Sequence, residues 1–293
     1  MKRGIVQSIA TLVANSYLPG FWKGTIYSGK IKYLCFPGLN CYSCPGALGS
    51  CPLGSLQAVI GSLKYSVSFY VLGLLSFFGT TLGRLICGWL CPFGFLQDLL
   101  HKIKTKKVNL PRSIDRPLRT LKYFLLLFFV LFFPMFLNNQ YGTAPPYFCQ
   151  WICPAGTLEG GIPLVLYHAS LRDMVGFLFG WKLFLLLVIL TGALFIYRFF
   201  CKYLCPLGAF YGFFNRISFV RLHVDPHQCT GCNQCAKSCP MQVPLPSQPN
   251  HHECIRCGAC QKSCPGQAIS LQWNWNCRNE TKELPRETVS KEA

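Results

Sequence analysis

Acidic residues are scarce in this chain: 10 Asp and Glu stand against 28 Lys and Arg in 293 residues, for a formal charge of +18. Charged side chains of both signs make up only 13%, too few for an ordinary pair of soluble domains. No glycine-rich phosphate loop, zinc-protease motif or nucleophile elbow is present. Nothing therefore points to a stand-alone enzyme that makes or breaks a covalent substrate bond. Histidine is sparse too, at six. Membrane haem of the b type takes axial His from facing helices, and only His168 lies near an apolar stretch. His101 falls in a basic loop, and His223, His227, His251 and His252 fall in or beside a cysteine-rich segment, where they read as surface residues.

Apolar bulk and sulfur are in excess. Hydrophobic residues make up 51% of the chain and the mean hydropathy is positive. Four stretches read as membrane spans: Gly4 to Trp22, Tyr65 to Gly83, Tyr123 to Leu137 (short, and broken by Pro134) and Met174 to Tyr197, interrupted by Lys182. The first carries Gln7, Ser8, Asn15 and Ser16, so an amphipathic helix lying in the interface is its alternative. No small-residue cleavage site follows it, which disfavours a removed signal peptide. Lys182 reads as snorkelling toward the outer headgroups. Eight Lys and Arg between Leu100 and Tyr123 mark that loop as cytoplasmic, whereas Asn138 to Asp173 holds only Arg172 and faces out. Both termini are then cytoplasmic, in a multi-pass protein of the cell membrane. The positive charge forms a collar facing lipid headgroups, not a nucleic-acid footprint.

From about Phe219 the Phe and Leu runs give way to Cys, Pro, Gln and His. The expected organisation is a transmembrane domain over residues 1–218, a small cysteine-rich domain over 219–270 and a polar tail over 271–293, with Trp273 and Trp275 touching the domain or the headgroups. About fifty residues are too few to fold on an apolar core alone, so metal must add stability.

There are nineteen cysteines, and seven are followed directly by proline. Cys229-x2-Cys232-x2-Cys235-x3-Cys239-Pro240 recurs 25 residues later as Cys254-x2-Cys257-x2-Cys260-x3-Cys264-Pro265. This spacing holds two [4Fe-4S] clusters, the fourth Cys of each run ligating the other cluster. Cys229, Cys232, Cys235 and Cys264 are expected to share one cluster, and Cys254, Cys257, Cys260 and Cys239 the other. Zinc knuckles also use Cys-x2-Cys, but tetrahedral zinc has no use for the doubled three-cysteine run. The segment resembles the two-cluster bacterial ferredoxin family in all eight ligands.

A second pattern repeats as Cys87-x3-Cys91-Pro, Cys149-x3-Cys153-Pro and Cys201-x3-Cys205-Pro. Cysteines four apart share a helix face, and the following proline places each pair in a last helical turn. That end of the helix dipole is unfavourable for an anionic cluster, so a cation is expected nearby. Arg84 and Arg198 stand three residues before Cys87 and Cys201, whereas Pro146 occupies that place before Cys149. Cys87, Cys91, Cys201 and Cys205 are expected to share one [4Fe-4S] centre at the inner membrane face. Cys149 and Cys153 emerge outside with Cys35, Cys41, Cys44 and Cys51. For an outer centre the first choice is Cys41, Cys44, Cys149 and Cys153. Disulfides are the alternative, with Cys35 and Cys51 the foremost pair. Cys277 reads as a lone thiol.

Two Arg-x2-Cys-x3-Cys-Pro motifs ahead of a two-cluster ferredoxin domain resemble the ferredoxin-type [4Fe-4S] membrane proteins of the NapH and NosR class, over roughly residues 66–270. The resemblance implies an α-helical membrane protein of about four transmembrane helices with a small α+β ferredoxin-like domain at its C-terminus. It also implies passage of electrons between a quinol pool or soluble carrier and redox partner proteins, some members serving maturation or regulation of another enzyme. The cysteine-rich loop Cys35 to Cys51 and the Cys149/Cys153 pair depart from the simplest members and favour electron delivery across the bilayer. The chain is thus expected to be an electron-transfer component of an oxidoreductase, passing electrons between a cytoplasmic donor and quinone or an extracytoplasmic acceptor. A redox sensor or an assembly factor for a partner metalloenzyme is the alternative. A bilayer core about 30 Å thick is too wide for one tunnelling hop, so an outward route needs intermediate centres, or bound quinone or flavin.

Overall fold

The structure, a computed structural model, describes residues 3–62, 68–137, 143–173 and 175–273. Cys277, Trp275 and the first residues of the expected Tyr65–Gly83 span lie outside these. The chain forms two compact units, one of Met1–Ser76 with Trp89–Ala209 and one of Phe77–Gly88 with Phe210–Ala293.

Among the described residues, two helices of the larger unit are long and apolar enough to cross a membrane, Ser113–Phe136 and Phe177–Phe195. The first starts some ten residues before the expected span, taking Arg116, Arg119 and Lys122 into its opening turns. It also runs through Pro134. A proline lacks the N–H and crowds the carbonyl four residues back, and the helix answers by widening to π geometry over Leu126–Phe132. The same device recurs at Gly156–Gly161, just ahead of Pro163. Gly4 to Trp22 is not one helix. Arg3–Ala14 ends at Asn15 and Ser16, and a separate turn covers Leu18–Lys23. Twelve residues rise about 18 Å, short of a hydrocarbon core. Of the Tyr65–Gly83 expectation, the described helix is Tyr70–Leu82, likewise short.

The rare carboxylates act as hubs. Asp98, on the Pro92–His101 helix, accepts two bonds from Arg198 at 2.8 and 2.6 Å, one from Gln7 at 2.8 Å and one from Arg3. Burial alone would raise its carboxyl, but the Arg198 bonds and charge, helped by Arg3, hold it down at about 2. Asp115 likewise gathers Lys202 at 2.7 Å, Arg119 at 2.5 Å and the Tyr203 hydroxyl. The N-terminal helix and the segment after Phe195 are thereby fixed to the middle of the unit by charge as well as by packing.

The smaller unit is built on an antiparallel pair, β1 (Val220–Val224) with β2 (Ile269–Trp273), in register Val220↔Trp273 to Val224↔Ile269. Alternation buries Val220, Leu222 and Val224 on one face. Leu271 to Trp273, expected in the polar tail, are therefore a strand, and the Trp273 ring lies 6.1 Å from that of Phe219. The Tyr70–Leu82 helix reaches this unit through its last turns: Phe219 N–H bonds Thr80 O at 2.8 Å. Gly79 is required there, because a Cβ would meet the Phe214 ring at 2.7 Å.

Candidate metal centres

The eight cysteines of residues 219–270 surround two cavities. One, with about 350 Å³ of open space, is lined by Cys229, Cys232, Cys235 and Cys264 together with Val224, Pro246 and Ile269. The other, about 300 Å³, is lined by Cys239, Cys254, Cys257 and Cys260 with Leu222, Met241 and Val243. Each draws three sulfurs from one run and one from the other.

The backbone explains how so short a chain curls around each cavity. Left-handed residues recur 25 positions apart: Gly231 and Arg256, Asn233 and Gly258, Gln242 and Gln267. Asn233 and Gly258 start the short helices Gln234–Lys237 and Ala259–Ser263, whose first turns carry Cys235 and Cys260. A non-glycine residue in this region costs about 1–2 kcal/mol, and Arg256 is held there by its bonds. It donates to Leu82 O at 2.6 Å, Ser218 Oγ at 2.6 Å and Asn215 O at 3.1 Å. Asn215 in turn donates to Cys254 O at 2.8 Å and accepts the Arg84 N–H at 2.9 Å. Burial pushes the Cys254 thiol up to about 11 and that of Cys260 up to about 12. The exposed Cys232 is shifted down, chiefly by the Gln234 N–H. Four thiols around each small, mostly apolar cavity fit a cubane, whose corner irons each take one thiolate.

In the larger unit the second cysteine of each pair does not close a helix, as the proline had suggested; it opens the next one. Cys91 is the N-cap of Pro92–His101, its sulfur accepting the Gly94 N–H at 3.4 Å. Cys51 is the N-cap residue of Pro52–Gly61, without a side-chain cap bond, and Cys153 Sγ accepts the Gly156 N–H at 3.5 Å. The Cys91 and Cys153 sulfurs thus face the positive end of a helix dipole, which offsets part of the cost of a buried thiolate. Cys201 sits in the turn Phe199–Tyr203, and its sulfur accepts from Gln97 at 3.1 Å. Cys205 follows it, with its N–H on Phe200 O at 2.9 Å. Cys87 lies in the Leu85–Trp89 turn and belongs to the smaller unit.

Arg84 and Arg198 are fully buried, and each is paired with a carboxylate. Arg84 bonds Glu253 at 2.8 Å and His252 O at 2.7 Å, and Arg198 bonds Asp98. The physical reason is desolvation: a buried guanidinium is kept only where a carboxylate compensates it. Lys182 corrects a further expectation. It does not snorkel away; its Nζ donates to Cys149 O at 3.1 Å, bringing a cation to the one motif that has proline in place of arginine.

Among the described residues every cysteine is a free thiol. Cys35 is not joined to Cys51: its sulfur lies 3.5 Å from Ser55 Oγ. Cys44 Sγ donates to Asn15 Oδ1 at 3.6 Å. Burial pushes Cys149 up to about 12, with the Cys51 sulfur the next cause. Cys41 also stands at about 12, by burial, then the Glu159 carboxylate, then Cys51 and Cys149. Glu159 accepts the Cys41 N–H at 2.7 Å, and burial raises its carboxyl to about 7. Sequence reasoning overlooked Gln57, Gln97, Glu159 and Asn215. The two glutamines were legible in the repeat Cys-Pro-x-Gly-x-Leu-Gln at 51–57 and 91–97.

Three family matches, each described as a 4Fe-4S binding domain, cover the chain in series: residues 63–111, 123–162 and 177–224, then 221–244, then 248–270. YccM of Escherichia coli (strain K12) is 31% identical over 200 residues, 66% of this chain and 50% of that protein. The methylamine utilization ferredoxin-type protein MauN of Paracoccus denitrificans is 28% identical over 186 residues, 62% of this chain and 54% of MauN. The regulatory protein NosR of Stutzerimonas stutzeri is 29% identical over 164 residues, 54% of this chain and 20% of NosR. The chain spans about half the length of the first of these relatives. No solved structure matches. With eight cysteines around two cavities, the Cys-x3-Cys-Pro motifs ahead of them and these matches, the chain belongs to the ferredoxin-type [4Fe-4S] proteins of the NapH/NosR class.

Proposed function

We propose that this chain is an integral membrane electron carrier, passing electrons between a cytoplasmic donor and either quinone or an extracytoplasmic acceptor. The observation that carries this reading is the arrangement of sulfur: two four-cysteine cavities in one unit and repeated cysteine motifs in the other. Cys229, Cys232, Cys235 and Cys264 would hold one cluster, Cys239, Cys254, Cys257 and Cys260 a second, and Cys87, Cys91, Cys201 and Cys205 a third. When bound, [4Fe-4S] clusters supply one-electron oxidation and reduction at potentials set by charge, hydrogen bonds and exposure. The chain's own residues set those conditions. Arg256 brings positive charge beside Cys254, Gln97 donates to the Cys201 sulfur, and Cys232 remains open to a soluble donor.

The membrane assignment is supported by the two long helices, whose outward side chains are apolar: Leu127, Phe132 and Phe136 on one, Phe184, Leu187 and Val188 on the other, all exposed. Apolar bands of this kind need lipid to cover them. Four spans with both termini cytoplasmic are the proposed topology from the Lys and Arg distribution; the two long helices cross by their own length, and the short Arg3–Ala14 and Tyr70–Leu82 helices would do so only together with flanking apolar residues.

The whole protein, reduced with dithionite in proteoliposomes, should be reoxidised rapidly by a water-soluble menaquinone analogue or by a soluble high-potential acceptor. Recovery of the visible cluster absorbance reads this directly. Clusters that reduce but return no electrons to either acceptor would contradict the carrier reading and favour a sensor.

A further inference from the structure

Two stretches of the larger unit repeat one another in sequence and in geometry. Cys51-Pro-Leu-Gly-Ser-Leu-Gln57 and Cys91-Pro-Phe-Gly-Phe-Leu-Gln97 each open a helix with a cysteine and set a glutamine six residues on. Phe148-Cys149-Gln-Trp-Ile-Cys153-Pro and Phe200-Cys201-Lys-Tyr-Leu-Cys205-Pro repeat in the same way. Both glutamines are fully buried, and each clasps the corresponding turn. Gln97 accepts the Phe200 N–H at 3.0 Å and donates to Cys201 Sγ at 3.1 Å. Gln57 accepts the Phe148 N–H at 2.9 Å and donates to Cys149 Sγ at 3.4 Å. The N–H of Cys205 bonds Phe200 O and that of Cys153 bonds Phe148 O, both at 2.9 Å. The duplication therefore matches Cys51 to Cys91, Cys149 to Cys201 and Cys153 to Cys205.

Glycines mark where the sulfurs of the first copy gather. A Cβ on Gly54 would stand 3.7 Å from Cys149 Sγ and 4.0 Å from Cys51 Cβ. One on Gly156 would stand 3.9 Å from Cys153 Cβ, and one on Gly160 would meet Cys41 Sγ at 3.3 Å. Cys44 and Cys35 are occupied elsewhere, on Asn15 and Ser55. Lys182 stands over the same turn, 3.7 Å from the Gly156 Cβ position.

We propose that Cys41, Cys51, Cys149 and Cys153 hold a fourth [4Fe-4S] cluster, with Gln57 and Lys182 as positioning residues that anchor the Cys149 turn. Cys51 thereby replaces Cys44 in the ligand set suggested by sequence alone. The inference rests on the electron-carrier reading only in taking Cys91, Cys201 and Cys205 as ligands of the matching copy. Four thiols would release their protons to solvent as their thiolates bind iron, the Gln57 N–H lies on one sulfur, and Lys182 brings a cation to the turn that has no arginine before its first cysteine.

Single serine variants of the full-length protein, purified anaerobically, test it by iron content and by low-temperature EPR of the reduced state. Cys41→Ser, Cys51→Ser and Cys149→Ser should each lose about four iron per chain and the same EPR component. Cys35→Ser and Cys44→Ser should keep both, and the ferredoxin components should persist in all five as the folding control. Loss in Cys44→Ser with retention in Cys51→Ser would overturn the assignment. So would about twelve iron in the unmodified protein with none lost in Cys51→Ser, a result that leaves the three-cluster reading intact; about eight iron would remove both. Should the serine variants not accumulate, Gln57→Glu decides. Losing an N–H donor and adding charge should lower the midpoint potential of that one component, and an unchanged potential would contradict the proposal.

Discussion

Cys264→Ser is expected to abolish the EPR component that Cys232→Ser abolishes, and not the one lost in Cys257→Ser, although Cys257 is only seven residues away in sequence. Cys239→Ser should show the reciprocal behaviour, matching Cys257→Ser. Each variant should lose about four iron per chain. The basis is the exchange of fourth cysteines: Cys264 lines the cavity of Cys229, Cys232 and Cys235, and Cys239 lines that of Cys254, Cys257 and Cys260. The two components are separable because their surroundings differ. Arg256 lies beside Cys254, while Cys232 is exposed, so the two centres should differ in midpoint potential. If Cys264→Ser and Cys257→Ser removed the same component, each run would close on its own cluster and the cavity assignment would fail.

Asp98→Asn should be among the most damaging single changes outside the cysteines. Arg198 is fully buried and Asp98 is 10% exposed, so the variant strips a desolvated guanidinium of its carboxylate. Such losses cost about 3–5 kcal/mol, read as a fall of about 10 °C or more in the unfolding midpoint in detergent. Arg198 also begins the turn that carries Cys201, so the centre assigned to Cys201 should be lost from Asp98→Asn before the ferredoxin centres. The pH dependence has a definite sign. A carboxyl held at about 2 in the folded chain, against about 3.9 unfolded, contributes its full stabilisation above pH ~4 and loses it as pH falls toward 2. A shift in unfolding midpoint no larger than that of an exposed substitution would contradict the hub role of Asp98.

Chemistry was more legible in the sequence than architecture. Ligand spacing constrains a cubane so tightly that eight cysteines could be sorted into two groups of four without a structure, and the cavities contain the same two groups. Helix ends were harder. Proline after Cys91 signals the end of one helix in sequence, but proline in the first turn is also what begins the next. Pro134 looks like a break in sequence, but a π turn absorbs it. Apolar runs at the N-terminus overstated helix length because Asn15 and Ser16 end the first helix after twelve residues. Depth in the span points Lys182 to the headgroups, whereas its acceptor, the Cys149 carbonyl, is 33 positions away in sequence. Contacts at that range, like those of Gln57 and Gln97 to the motif cysteines, follow from packing and leave only a faint trace in one sequence.

The central claim is that iron resides in the helical unit as well as in the C-terminal lobe. Iron and acid-labile sulfide per chain, measured on the anaerobically purified whole protein, test it most directly. About sixteen of each are expected from four [4Fe-4S] centres, and about twelve still place one centre beyond the lobe. About eight of each would confine every cluster to the ferredoxin segment and contradict the account.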